Sequence, residues 1–288
     1  MFEFATLLAA FGGGIFGAAL GGLFAFIFTG ILVLAGVAAG FFGSPEATAI
    51  LNNLAFGAAF GPQTSFVGGV AAAAYAGRKG LLETGKDIIT PLVKFGDPLT
   101  LLIGGVFGVI GQLLLILFNK LGVPCDNVAL AVVAGNIVAR LVWGNGIIGK
   151  VPENVKFLTT TDSCVWLPGQ KDVLPLLILG FGIGAISAYA AKVTSSAVLP
   201  FGVAAVSLIV LEFMGSGLVF HHMAWPAAAA TSASGNLLIG ILFGIIGALL
   251  GELFARIFYI YGDTHIDPPA CAIASSITLI LLLIGPIG

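Results

Sequence analysis

Apolar residues run along this chain in blocks long enough to cross a bilayer, and short charged or Gly/Pro-rich stretches separate the blocks. A membrane-spanning helix needs about 20 apolar residues. On that measure the first half holds segments near 4–20, 22–42, 54–77, 99–119 and 125–144, and the second half holds segments near 173–191, 195–214, 216–233, 236–258 and 268–287. Residues 4–42 carry no charge, so the break near Gly22 is placed by aligning the halves, which sets Lys192 opposite it. The expected fold is an all-α polytopic membrane protein of about ten transmembrane helices. Its expected organisation is a first transmembrane repeat at 1–146, a cytoplasmic linker at 147–172 and a second repeat at 173–288.

The halves echo each other in sequence. Leu101-Leu102-Ile103-Gly104-Gly105-Val106-Phe107-Gly108-Val109-Ile110-Gly111 returns as Leu237-Leu238-Ile239-Gly240-Ile241-Leu242-Phe243-Gly244-Ile245-Ile246-Gly247, identical at eight of eleven positions. Phe11-Gly12-Gly13-Gly14 parallels Phe181-Gly182-Ile183-Gly184, and Lys120 and Arg256 lie equally far beyond the shared glycine motif. Phe60-Gly61-Pro62 has a looser echo in Phe220-His221-His222. This pattern predicts an internal duplication.

Charge sets the expected orientation. Arg78, Lys79, Lys86 and Lys94 follow the third segment, and Lys150, Lys156 and Lys171 join the halves. Two segments separate these loops, so they share a side, which the positive-inside rule makes cytoplasmic. Five crossings per half then put both termini outside and oppose the two halves, an inverted repeat with the substrate path at its interface. Residues 80–95 alternate apolar and charged positions in a way that suits a helix lying in the membrane interface, or else an ordinary cytoplasmic loop.

The third segment of each half carries the candidate chemistry. Gly61-Pro62-Gln63-Thr64-Ser65 and Phe220-His221-His222-Met223-Ala224-Trp225-Pro226 interrupt apolar runs. Proline removes a donor and clashes with the preceding turn, so a kink or break is expected in the middle of each helix. Free backbone groups at membrane depth are tolerated only beside protein or a water-filled cavity. The N-terminus of a half-helix also favours an anion or dipole. The expected substrate-binding residues are therefore Gln63, Thr64, Ser65, His221, His222 and Trp225, and Glu212 is the candidate for proton or ion coupling. Glu252 and Arg256 are spaced to neutralise each other on one helix. Arg140 with Trp143 reads as a snorkelling anchor. Asp263, His265 and Asp267 are types that bind metal, but they sit in a short Gly/Pro loop where polar residues are expected anyway, and no metal site is expected.

Composition narrows the function classes. Hydrophobic residues make up 59% of the 288 and charged residues 8%, against about a quarter charged in soluble domains. The net charge of −2 and the absence of a basic cluster argue against a nucleic-acid partner. Cys125, Cys164 and Cys271 form no CxxC and indicate neither a disulfide framework nor a zinc motif. Met1-Phe2-Glu3-Phe4 lacks the basic start of a cleaved signal, so the first apolar segment is expected to stay in the mature chain. Without an HExxH, a suitable GxSxG, a carboxylate pair at helical spacing or a phosphate loop, no enzyme and no cofactor is expected.

From about Leu237 to the C-terminus the chain resembles the HPP family of small membrane proteins. The likeness rests on Gly240-Ile241-Leu242-Phe243-Gly244-Ile245-Ile246-Gly247, a short loop, then Pro268-Pro269-Ala270 opening an Ala-rich helix; the namesake His-Pro-Pro reads Asp267-Pro268-Pro269 here. The resemblance implies transport of a small solute, such as the nitrite proposed for plant plastid members. The doubled plan with two broken central helices is also similar to that of urea channels, a likeness of architecture alone. The expected function is a transporter or channel for a small polar or anionic solute in a bacterial or archaeal inner membrane. Its partners would be the lipid bilayer, the solute and, through the Gly-lined faces, further copies of the chain. The alternative is a membrane-embedded structural or partner subunit.

Overall fold

The computed structural model describes residues 3–287. Its helices are α1 (Phe4–Leu20), α2 (Gly22–Phe41), the short α3 (Ala47–Ala49) running into a π turn at Ile50–Ala55, α4 (Ser65–Lys79), α5 (Pro98–Lys120) and α6 (Asn127–Trp143). The second half adds α7 (Val173–Thr194), α8 (Leu199–Ser207), α9 (Ile209–Met214), α10 (His221–Ser234), α11 (Leu237–Phe254) with a π segment at Ala255–Tyr259, and α12 (Pro268–Leu283). No strand occurs among the described residues; Gly85 and Thr264 form a lone bridge. The stretches Gly22–Phe41, Pro98–Lys120, Val173–Thr194 and Leu237–Tyr259 are long and apolar enough to cross a membrane.

The long helices are built inside out relative to those of a soluble bundle. On α5 the buried positions include Gly104, Gly105, Gly108 and Gly111, while Leu102, Val106, Leu113 and Leu117 face outward. On α11, Gly240, Gly244, Gly247 and Gly251 are buried and Leu238, Leu242, Leu249 and Leu253 are exposed. Small residues let helix backbones meet where lipid tails already satisfy large apolar side chains. Four apolar helices with such outer faces are compatible with a membrane protein.

α4 and α10 form the centre of each half. α4 packs on α1, α2, α5 and α6, and α10 packs on the corresponding α7, α8, α11 and α12. A side chain on Gly111 would collide with the carbonyl of Gln63, just before α4, and one on Gly247 would collide with the carbonyl of His222, at the start of α10. Each glycine backbone therefore lies directly on a carbonyl at the beginning of the central helix, within reach of weak Cα–H···O contacts. Between the halves, α2 crosses α8 and α6 packs on α12. Gly30 meets Ala205 while Gly202 meets Val33, a reciprocal pairing of the kind that two-fold symmetry produces. α6 and α12 run antiparallel: Cys125 Sγ contacts the Ala274 carbonyl, and Arg140, further along α6, contacts Thr264, before α12 begins.

One break falls where it is expected, at the Gly61–Thr64 stretch, and the other does not. No continuous helix covers 54–77: residues 56–64 form turns and α4 starts after Pro62 instead of kinking there. Pro226 lies inside α10 without ending it, and the irregular stretch precedes the helix, between Met214 and His221. Pro226 has no N–H to offer the His222 carbonyl four residues back, and Gly247 packs against that same carbonyl. By contrast, the charge-free run 4–42 breaks where the repeat alignment set it: Gly21 adopts φ +92°, a conformation glycine tolerates, between α1 and α2.

Two loops also correct the reading. Residues 80–95 do not form an interfacial helix. Asp87 accepts bonds from the N–H groups of Ile89 and Thr90 and from the Thr90 hydroxyl, and the Ile88 carbonyl accepts the Leu23 N–H at 2.9 Å. Competing side-chain bonds of this type turn a chain away from helix. Arg140 does not snorkel; it is fully buried and donates to the carbonyls of Ile147, Phe258 and Thr264 and to the Thr264 hydroxyl. Trp143 packs against Phe107 and Tyr75. Glu252 and Arg256 pair as their spacing predicts, at 2.7 Å.

Gly111→Val or Gly247→Val should destabilise the fold by on the order of 3 kcal/mol, because backbone must move to admit the side chain. Gly12→Ala and Gly182→Ala, where a Cβ meets nothing within 4 Å, should be neutral or gain up to about 1 kcal/mol from helix propensity. Thermal denaturation of the purified variants in detergent separates the two pairs; equal effects would refute the close-contact assignment.

Candidate functional site

A cavity of about 1070 Å³ lies between the halves. Both central helices reach it at their first turns, α4 through Phe66 and α10 through His221 and Trp225. Pro62, Phe26 on α2, Phe201 on α8 and Val132 on α6 add to the wall. Loops close it further: Thr84 to Ile89 from one half, Trp166 to Gln170 from the linker, and Gly215 to Val219 ahead of α10. The Gln170 amide holds that last segment at two points, donating to the Val219 carbonyl at 3.0 Å and accepting the Val219 N–H at 3.1 Å.

Most of the lining is apolar or aromatic, with a few polar groups, the usual make-up of a ligand pocket, and its size is at the upper end of the roughly 300–1,000 Å³ range. Asp126 and Asp267 occupy equivalent places, each capping the last helix of its half: Asp126 accepts the Ala129 N–H and Asp267 the Ala270 N–H. Each also bonds a ring, Asp126 the Trp225 indole at 2.9 Å and Asp267 the His265 imidazole at 3.1 Å. Burial alone would push the Asp267 carboxyl up, but the His265 bond and the neighbouring imidazole rings outweigh it and hold the carboxyl below the ordinary aspartate range. Lys86 brings its ammonium to 5.0 Å from the Tyr259 ring centre, and burial pushes its pKa down.

The rings form a closed circuit. Tyr259 meets His265 at 5.3 Å, His265 meets Phe66 at 5.8 Å, Phe66 meets Phe26 at 5.9 Å, and Phe26 meets His221 at 4.9 Å. His221 meets His222 at 5.9 Å, His222 meets Trp166 at 5.8 Å, and Trp166 returns to Tyr259 at 6.5 Å. All three histidines of the chain belong to it, and every member except His222 lines the cavity.

The sequence-expected site residues divide accordingly. His221 and Trp225 line the cavity, and His222 stands behind His221, fully buried with neither ring nitrogen bonded to any described residue. Gln63, Thr64 and Ser65 are fully buried and do not line it. Gln63 Nε2 reaches the carbonyls of Phe56 and Gly57 and Oε1 of Gln112; the Thr64 and Ser65 hydroxyls donate to the Gly61 and Phe60 carbonyls. They satisfy the backbone that the break leaves open. Glu212, on α9, does not line the cavity; its neighbour Leu211 does. Asp263 accepts the Asn145 N–H and sits 4.0 Å from Arg140, so it is separated in role from the His265–Asp267 pair. Among the described residues no group of three or more His, Cys, Asp or Glu is placed to hold a metal ion.

Sequence reading missed Lys86, Asp126, Trp166, Gln170 and Tyr259. The Asp126 and Asp267 signal was present, an aspartate three residues before an alanine at the start of the last apolar segment of each half. Nothing local marks Trp166 or Gln170. Gln63→Leu should lower stability by about 2 kcal/mol by removing the amide from the Phe56 carbonyl and Gln112 Oε1, while the Gly57 carbonyl keeps the Gly61 N–H, read as a fall in melting temperature; an unchanged value would mean that water replaces the amide.

Residues 1–161 and 158–286 match the profile of a family of unknown function, DUF7973, and the two matches meet inside the linker between the halves. No curated protein and no solved structure matches the chain. The profile carries no assigned activity and leaves the likenesses to HPP proteins and urea channels as expectations. Because the two matches together cover nearly its whole length, the chain belongs to this family of unknown function, DUF7973.

Proposed function

We propose that this protein is an integral membrane transporter or channel for a small solute, moved through the cavity between two oppositely oriented halves of five membrane segments each. The observation that carries this reading is the cavity itself, bounded by both halves at the starts of α4 and α10. These helices have 15 and 14 residues, about 22 Å at 1.5 Å per residue, too short for a hydrocarbon core of about 30 Å. Their first turns therefore lie at depth, the arrangement found around transporter sites with discontinuous helices. The antiparallel run of α6 and α12 and the reciprocal α2–α8 crossing favour opposed halves. Loop charges favour a cytoplasmic face at 80–97 and 144–172, and a bacterial or archaeal inner membrane suits the whole.

Uptake into proteoliposomes tests the reading with nitrite, formate, bicarbonate, urea, ammonium and an organic cation against protein-free vesicles. Ala129→Trp fills the cavity from α6 and should abolish flux without lowering folded yield. His221→Ala should change flux more than His222→Ala, since only His221 touches the cavity. Flux of every solute unaffected by Ala129→Trp would overturn the assigned path, and no flux at all from folded protein would favour the structural-subunit reading.

A further inference from the structure

We infer that the solute is an amphipathic organic cation, its charge offset by the Asp126 and Asp267 carboxylates on the cavity wall and its apolar body held by the ring circuit. The inference rests on the transport reading and names the substrate class of the same cavity. Formal charge comes first. The lining groups are Lys86 at +1 and Asp87, Asp126 and Asp267 at −1 each, which sum to −2 with the imidazoles neutral and to −1 with His265 charged against Asp267. Asp87 is already committed to Thr90 and two backbone N–H groups, whereas Asp126 and Asp267 each keep only a helix cap and one ring partner. A net negative wall inside a mostly apolar cavity is costly unless a cation offsets it.

Ring geometry points the same way. Tyr259, Phe66, Phe26 and Trp166 line the cavity, and aromatic faces attract cations most strongly where water is excluded. Lys86 over Tyr259 is an instance of that contact already made by the protein. His221 is 5% exposed, lines the cavity and leaves Nδ1 without a partner among the described residues, an unmet polar group of the sort that a bound molecule satisfies. The volume is far larger than an inorganic ion needs and accommodates several rings or an alkyl body.

Two probes of nearly the same shape and opposite charge decide the matter: tetraphenylphosphonium and tetraphenylborate, titrated calorimetrically into the purified full chain in detergent. The expected result is saturable binding of one phosphonium per chain and none of the borate. Asp126→Asn together with Asp267→Asn removes both charges while keeping an amide oxygen able to cap each helix, and should weaken phosphonium binding by tenfold or more. Should that variant fail to fold, Trp166→Leu, in the linker, should weaken binding about fivefold by removing one aromatic face. Borate binding as tight as phosphonium, no phosphonium binding, or phosphonium binding that the folded variants leave unchanged would overturn the inference. The two readings fail separately. Phosphonium bound without flux would sink transport and leave the cation site standing; flux of another solute without phosphonium binding would do the reverse.

Discussion

The architecture depends on direct contact between helix backbones at glycine. Gly111 and Gly247 lie on the carbonyls of Gln63 and His222, and no other residue allows that approach. In lipid, burying apolar side chains gives little driving force between helices, so close van der Waals contact and satisfied backbone groups must supply it. Seating the start of each central helix on a glycine does both. It draws α4 and α10 into their halves and leaves their first turns facing the space between the halves. The cavity follows from this placement: helices of 15 and 14 residues cannot fill a bundle of 18- to 23-residue helices from end to end.

Polar groups then sort into two kinds by what surrounds them. Gln63, Thr64, Ser65 and Arg140 close the hydrogen-bonding needs of irregular backbone, and the cost of leaving such carbonyls unmet in a dry interior accounts for their burial. Asp126, Asp267, His221 and Lys86 instead line the cavity, and His221 Nδ1 has no partner among the described residues. The distinction cannot be drawn from residue type. Gln63 and His221 both begin a central helix, yet one is spent on the break and the other looks into the cavity.

The correspondence between the halves is close for packing and loose for chemistry. The equivalent helices contact equivalent neighbours, and the two aspartate caps correspond. Beyond them, the rings and charges differ: all three imidazoles belong to the second half, while Lys86 comes from the first. A duplicated scaffold whose site has diverged presents different groups to the two sides of one cavity.

Much of the architecture was legible in the chain itself, because hydropathy and glycine spacing are local consequences of lipid as solvent. The segment boundaries at Leu20 and Gly22, the ends of α5, α6 and α7 and the Glu252–Arg256 pair all follow from period, length and spacing. The site was legible only in part. His221 and Trp225 stood out as polar or amphipathic residues beside a break, and they line the cavity; Lys86, Trp166 and Gln170 sit in loops whose return to the cavity depends on long-range bonds such as Gln170 to Val219. Sequence by itself determined which segments are apolar and that the backbone is interrupted at Gly21 and at Gly61-Pro62, since apolar runs, the register of the halves and a proline can all be read along the chain, whereas Pro226 leaves α10 continuous. Only the tertiary structure decided which polar groups repair the interruptions and which are left to meet a ligand, since that depends on the neighbour each side chain finds across the fold.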